Sequence, residues 1–144
     1  MPYTKIVVHL VWSTKNRRRV ITADIKPTLI EHIVSNCHVK EILIEEINCV
    51  SDHIHILIRL HPDQNVSKVV QLIKVESSFW INKNKLTAIK FEWQSEYLAV
   101  SISESIISKV KAYIRNQESH HKRKSFKEEL DEFLQHLVYS KIVD

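Results

Sequence analysis

The stretch Ser51-Asp52-His53-Ile54-His55-Ile56-Leu57-Ile58 leaves the backbone few options. β-Branched and apolar residues dominate it, which marks a strand. Residues 41–50 read as a second strand, and the Ser51-Asp52 link between them is short enough to demand an antiparallel hairpin. Side chains on a strand alternate, so His53 and His55 project to one side while Ile54, Ile56 and Ile58 project to the other, as a core face should. Two imidazoles about 7 Å apart on one strand face can converge on a divalent cation. Taken alone, the pair reads more readily as two solvated histidines at a strand edge.

The flanking chain supplies the elements this hairpin must pack with. Residues 5–14 alternate Ile6, Val8, Leu10 and Trp12 against Val7, His9 and Val11; both faces are mainly apolar, which predicts a central strand. His9 reads there as a core histidine. A basic loop follows, from Lys15 to Arg19. Residues 22–38 carry Ile25, Leu29, Ile30, Ile33, Val34 and Cys37 at helical spacing, with Pro27 in the first turn where its missing N–H costs nothing. Residues 66–82 form a second helix with Asn65 as N-cap. Residues 91–93 and 97–103 read as short extended pieces. Residues 104–118 form a third helix, with Ser103 as N-cap and Ile106, Ile107, Val110 and Ile114 on its apolar face; a tail helix is expected over residues 125–138. The order β-α-β-β-α-β is an α+β, ferredoxin-like layout: an antiparallel sheet with two helices on one face, plus an added C-terminal helix and tail helix. In the usual strand order the histidine strand neighbours the first strand mid-sheet, so His53 and His55 belong on the face the two helices leave open.

At 144 residues the chain fits one domain, 1–144, with one ordinary core. It contains no glycine, so its turns fall to Asn, Asp, Ser, Pro and Lys, with Asn the best remaining choice at positive φ. No apolar run reaches the length of a membrane span, and no signal-peptide pattern opens the chain. Cys37 and Cys49 stand apart in apolar surroundings, as buried thiols in a reducing cytoplasm would, and neither has a second cysteine at metal-ligand spacing. The net charge of +4 is compatible with a nucleic-acid partner without demanding one.

On the third helix, Tyr113 and Gln117 are four residues apart and share a face, which His120 joins if the helix continues. The combination of His53-Ile54-His55 with Tyr113-x-x-x-Gln117 some sixty residues later resembles the single-tyrosine HUH transposases of bacterial insertion sequences and their relatives associated with repeated extragenic palindromes. The likeness runs through nearly the whole chain. It includes Val11-Trp12-Ser13-Thr14-Lys15-Asn16-Arg17-Arg18, Leu72-Ile73-Lys74 with Ser77-Ser78, Phe91-Glu92-Trp93-Gln94, Val100-Ser101-Ile102-Ser103, and Tyr113 through His121.

The resemblance implies that His53, His55 and Gln117 hold Mg2+ or Mn2+ and that Tyr113 attacks a phosphodiester of single-stranded DNA near a hairpin. It further implies a homodimer whose active sites are shared between chains. An uncovered sheet face and an apolar third helix would also favour such an association. Arg17, Arg18, Arg19, Lys74, Lys122, Arg123 and Lys124 are the candidate DNA-phosphate contacts. Two other readings fit the same residues: a domesticated enzyme that processes chromosomal palindromes, and a non-catalytic nucleic-acid-binding module on a ferredoxin-like sheet. Family members commonly carry glycines where this chain has Cys49, Val75 and Leu98.

Overall fold

Alternation along the central strands dictates the architecture of the protein, seen in a computed structural model that describes residues 3–117 and residue 128. The elements are β1 (Ile6–Ser13), α1 (Lys26–Val39), β2 (Leu43–Cys49), β3 (His53–Leu60), α2 (Val66–Lys83), β4 (Leu98–Ile102) and α3 (Ile107–Arg115). The strands form one sheet in the order β2-β3-β1-β4. All its pairings are antiparallel. This is the expected ferredoxin-like order, with β1 and β3 in the middle.

The register decides which residues share a face. Leu10 pairs with Ile56 and Trp12 with Ile54, while Val11 pairs with His55 and Ser13 with His53. Directly paired residues project to the same side, so the even-numbered apolar residues of both strands form one surface. Helices α1 and α2 cover it. Leu29 and Ile33 of α1 and Val69, Val70, Ile73 and Ile81 of α2 join Val8, Leu10, Trp12, Ile54, Ile56 and Ile58 in one buried cluster. The two helices also meet directly, where His32 stacks on Trp80 at 4.0 Å and its Nε2 lies 2.8 Å from the Glu76 carboxylate.

Asn65 caps α2 as expected, its side chain accepting from Lys68 N at 2.8 Å. Without glycine, two helix exits use charged residues in the left-handed region. At the end of α1, Glu41 has φ 60°, and Ile42 N donates to Cys37 O at 2.8 Å. At the end of α2, Lys85 has φ 51°, and Leu86 N donates to Ile81 O at 3.1 Å. Both are Schellman closures, a geometry that normally selects glycine. The expectation that Asn would take such positions holds only at Asn16, φ 58°, and its neighbour Arg17 is also left-handed at φ 54°.

The third helix differs from the sequence expectation at its start. A 3₁₀ turn over Glu104–Ile106 precedes α3, and Ser103 makes no side-chain cap bond there. Its hydroxyl instead faces Ser105 Oγ at 3.1 Å. Of the two extended pieces, the second is β4, and the first contributes a single bridge between Thr14 and Trp93. The tail helix expected over residues 125–138 lies outside the described residues. Cys37 and Cys49 are both buried and free. Burial pushes the Cys37 thiol up to about 11. Among the described residues, no helix is long and apolar enough to cross a membrane.

Candidate active site

The other face of the sheet carries Val7, His9, Val11 and Ser13 from β1 and His53, His55 and Leu57 from β3. Helix α3 of the same chain lies over it. Val110 and Ile114 pack on Val7, Leu57 and Ile102 to make a second, smaller cluster. The apolar helix face that seemed to require a partner molecule is therefore covered by the chain's own sheet, with Val110 6% exposed and Ile114 fully buried. Polar contacts to β2 hold the helix in place. Asn48 Nδ2 donates to the α3 carbonyls of Ile114 at 2.9 Å and Arg115 at 3.1 Å, two of the acceptors a helix C-terminus leaves unpaired. Lys111 pairs with Glu45 at 3.0 Å and Arg115 with Glu46 at 2.9 Å.

This docking brings the sequence candidates together. The His53 and His55 rings lie 5.1 Å apart between centroids. The ring of Tyr113 stands edge-on to His55 at 5.8 Å. Gln117 Nε2 donates to His53 Nε2 at 3.1 Å. Helix α3 ends at Arg115, short of the expected residue 118, yet Gln117 just beyond it still turns toward the histidines together with Tyr113. His53, His55 and Gln117 are all buried.

Two further residues contact the imidazoles, and neither was singled out as functional from sequence. His53 Nδ1 donates to Asp52 Oδ1 at 2.8 Å, so its lone pair sits on Nε2, toward Gln117. His55 Nδ1 lies 2.9 Å from His9 Nε2, which leaves Nε2 as its outward nitrogen. An acidic residue directly before the first histidine was a visible signal. The role of His9 was not, because it depends on the register between β1 and β3.

The donor set fits a hard-to-borderline divalent cation. Two imidazole nitrogens converge with an amide, and a half-turn of the Gln117 amide exchanges its nitrogen for Oε1, an oxygen ligand. Among the described residues, no group of three His, Cys, Asp or Glu side chains gathers as a metal site; the third member here is a glutamine.

The remaining candidates are distributed. Arg17, Arg18 and Arg19 are exposed in the loop after β1. Lys15, Asn16 and Arg17 form one wall of a cavity of about 660 Å³ whose other wall is Glu92, Trp93, Gln94 and Ser95. Gln94 Oε1 accepts from Ser13 Oγ at 2.5 Å, tying that wall to the residue paired with His53. Lys74 turns inward. Its ammonium donates to Gln94 O at 2.6 Å and Glu96 O at 2.9 Å and sits over the rings of Trp12 and Tyr97, and burial lowers its pKa. It fastens the 94–97 segment. Lys122, Arg123, Lys124 and His120 lie outside the described residues. At the positions where family members commonly carry glycine, Cys49 is buried in β2, Val75 is exposed on α2 and Leu98 opens β4.

Comparison with known proteins agrees with this geometry. The chain is similar to the transposase of insertion sequence element IS200 from Salmonella typhimurium, 25% identical over 115 residues that cover 76% of this chain and 74% of the relative. The Salmonella typhi transposase for the same element matches equally. Two solved structures share the fold. One is a transposase of Deinococcus radiodurans R1 described as putative (TM-score 0.64, 20% identity, 81% of this chain and 93% of that one). The other is a tyrosine transposase associated with REP sequences and bound to a REP hairpin (TM-score 0.64, 17% identity, 84% and 72%). The model of the IS200-like transposase family matches residues 2–117, from β1 through Gln117, and the chain belongs to that family.

Proposed function

We propose that this transposase cuts and rejoins single-stranded DNA at hairpin-bearing ends, with Tyr113 as nucleophile and His53, His55 and Gln117 as ligands of Mg2+ or Mn2+. The observation that carries this reading is the convergence of Tyr113, on α3, and Gln117, two residues past its end, on the His53–His55 pair. The Tyr113 oxygen attacks the phosphorus. A tyrosine–phosphorus ester forms as the bond to the 3′-oxygen breaks, and the DNA 5′ end is left on the protein. A later 3′-hydroxyl reverses the exchange, so the ester preserves the phosphodiester bond energy for rejoining. When bound, the cation polarises the scissile phosphate and stabilises the departing oxygen. Asp52 keeps the His53 lone pair on Nε2. Burial of the three ligands keeps bulk water from competing with them. Lys15 and Arg17, on the rim of the cavity beside β1, supply positive charge for a DNA strand. The hairpin-bound relative supports a hairpin as the recognised end.

The test is covalent capture. A hairpin-bearing single strand incubated with the protein and Mn2+ should yield a protein–DNA adduct on a denaturing gel. Tyr113→Phe should abolish that adduct and leave hairpin affinity unchanged, because the phenol oxygen is needed only for attack. An adduct that persists in Tyr113→Phe moves the nucleophile to another tyrosine. Binding without any adduct in the native protein makes it a nucleic-acid-binding module.

Within one chain, Tyr113 and Gln117 lie beside His53 and His55. A homodimer with shared sites would require α3 to leave its own sheet. Mixing Tyr113→Phe with His53→Ala protein under verified subunit exchange separates the two arrangements. An adduct on the His53→Ala chain shows sharing, and its absence shows sites built within single chains.

A further inference from the structure

We propose that His9 is a positioning residue that fixes the tautomer of His55, so that His55 presents an unprotonated Nε2 to the cation. The inference rests on the reading of His53 and His55 as ligands. His9 is in the middle of the central strand, fully buried, two pairs along from the Val11–His55 partnership. Its flanking residues on the same face, Val7 and Val11, show what packing alone accepts there. A buried imidazole at that place costs desolvation unless its hydrogen bond repays it.

That bond joins His9 Nε2 to His55 Nδ1 at 2.9 Å, with the ring centroids 5.1 Å apart. Two neutral imidazoles facing each other through one nitrogen apiece share a single proton between those nitrogens. If the proton belongs to His9, His55 carries its own proton on Nε2 and cannot ligate through that atom. If it belongs to His55 Nδ1, His9 Nε2 is the acceptor and His55 Nε2 holds a lone pair. Only the second arrangement makes a ligand. His53 faces no such choice, because the Asp52 carboxylate can only accept. The two ligands are thus oriented by different acceptors: a carboxylate for His53 and a neutral imidazole, itself confined to one tautomer, for His55. Such outer partners of ligating histidines set both ring orientation and metal affinity.

The experiment uses the full chain. ¹⁵N-histidine NMR of metal-free protein should show His55 as the Nδ1–H tautomer. It should stay so in His9→Gln, whose amide oxygen can accept at the place of Nε2, and shift toward Nε2–H in His9→Leu. Mn2+ titration followed by electron paramagnetic resonance should show the dissociation constant rising by about 10–100-fold in His9→Leu, with most of that loss restored in His9→Gln. A wild-type His55 in the Nε2–H form overturns the inference. So does a folded His9→Leu protein that binds Mn2+ like wild type, or a folded His9→Gln protein that loses as much as the leucine variant. If His9→Leu does not fold, the wild-type tautomer and the His9→Gln titration decide the matter. A wild type that binds no Mn2+ overturns the metal reading instead, and the metal-free tautomer still decides whether His9 orients His55.

Discussion

Between the sheet and helices α1 and α2 lie Leu10, Trp12, Ile54, Ile56 and Ile58, each 2% exposed or less. Between the sheet and α3 lie His9, His53, His55 and Gln117, which are just as deeply buried. The same two strands supply both sets. Burial is equal on the two faces, and the chemistry is opposite. On the helix-pair face the buried groups need only shape, and they draw their stability from area removed from water. On the α3 face each polar group needs a named partner: Asp52 for His53, His9 for His55, and Asn48 for the end of the helix. Among the described residues, five apolar residues make the buried cluster on that side, against nineteen on the other. The larger apolar core lies on one side of the sheet and the proposed site on the other.

Adjacent residues of β3 allow the sharpest break of this comparison. Ile54 and His55 are neighbours on one strand and project to opposite faces. Ile54→Ala should cost about 2–5 kcal/mol in urea unfolding, because it empties a fully buried site beneath two helices, while surviving folded protein still forms the adduct. His55→Ala should abolish the adduct with a smaller stability loss. Equal loss of cleavage in both, measured on folded protein, would show that the faces are not separable.

The division between the faces was legible in the sequence. Alternation in β1 and β3 separates Ile54, Ile56 and Ile58 from His53 and His55, and the spacing of Tyr113 and Gln117 directs both toward the histidines even though α3 stops at Arg115. Those are local patterns, which the backbone period alone decides. What the sequence did not show is who touches whom across elements. His9 read as a core histidine because its contact with His55 depends on register between strands far apart in the chain. Asn48 carried no signal because its role exists only once α3 has docked. Lys74 reads from sequence as a DNA-phosphate candidate, and its ammonium holds the 94–97 segment instead, since nothing local announces that Trp12 and Tyr97 will lie beside it. The cap at Ser103 failed for the opposite reason: the motif was present, and the chain made a 3₁₀ turn first.

Asn48 offers a milder break confined to the reactive side. Its amide donates to two α3 carbonyls while its oxygen accepts from Cys49 N at 2.9 Å. Asn48→Ala should cost about 1–3 kcal/mol. Hydrogen exchange should quicken in α3 well before it does in α1 or α2. Uniform quickening across all three helices would mean that α3 is not an independently held layer.

Stability can also be added on the other side without touching the site. Lys85 holds a left-handed conformation at the exit of α2 that glycine adopts at no steric cost. Lys85→Gly should therefore raise stability by about 1 kcal/mol, visible as a higher Tm, with cleavage unchanged. A drop in Tm would show that the lysine side chain contributes more there than its backbone costs.

The smallest effect on stability should come from the loop that belongs to neither face. Arg17, Arg18 and Arg19 are exposed, and substituting exposed charges ordinarily changes stability by no more than about 0.5 kcal/mol. Glutamine is the replacement of choice, because Arg17 sits at φ 54° and any non-glycine residue keeps that backbone constraint unchanged. Stability is not what these residues would supply. Each guanidinium that neutralises a phosphate releases a counterion, at a slope of about 0.7 for a single strand and 0.9 for duplex. For a hairpin carrying a single-stranded extension, the triple glutamine variant should then reduce the salt dependence of binding by about two in the log–log slope, while its unfolding curve superimposes on that of wild type. Because the cavity beside this loop is tied through Gln94 to Ser13, opposite His53, the loss should fall on strands long enough to pass from the hairpin to the site. A hairpin without that extension should keep its slope in the variant. If the bare hairpin loses as much, the arginines grip the duplex, and the single strand reaches Tyr113 by another route.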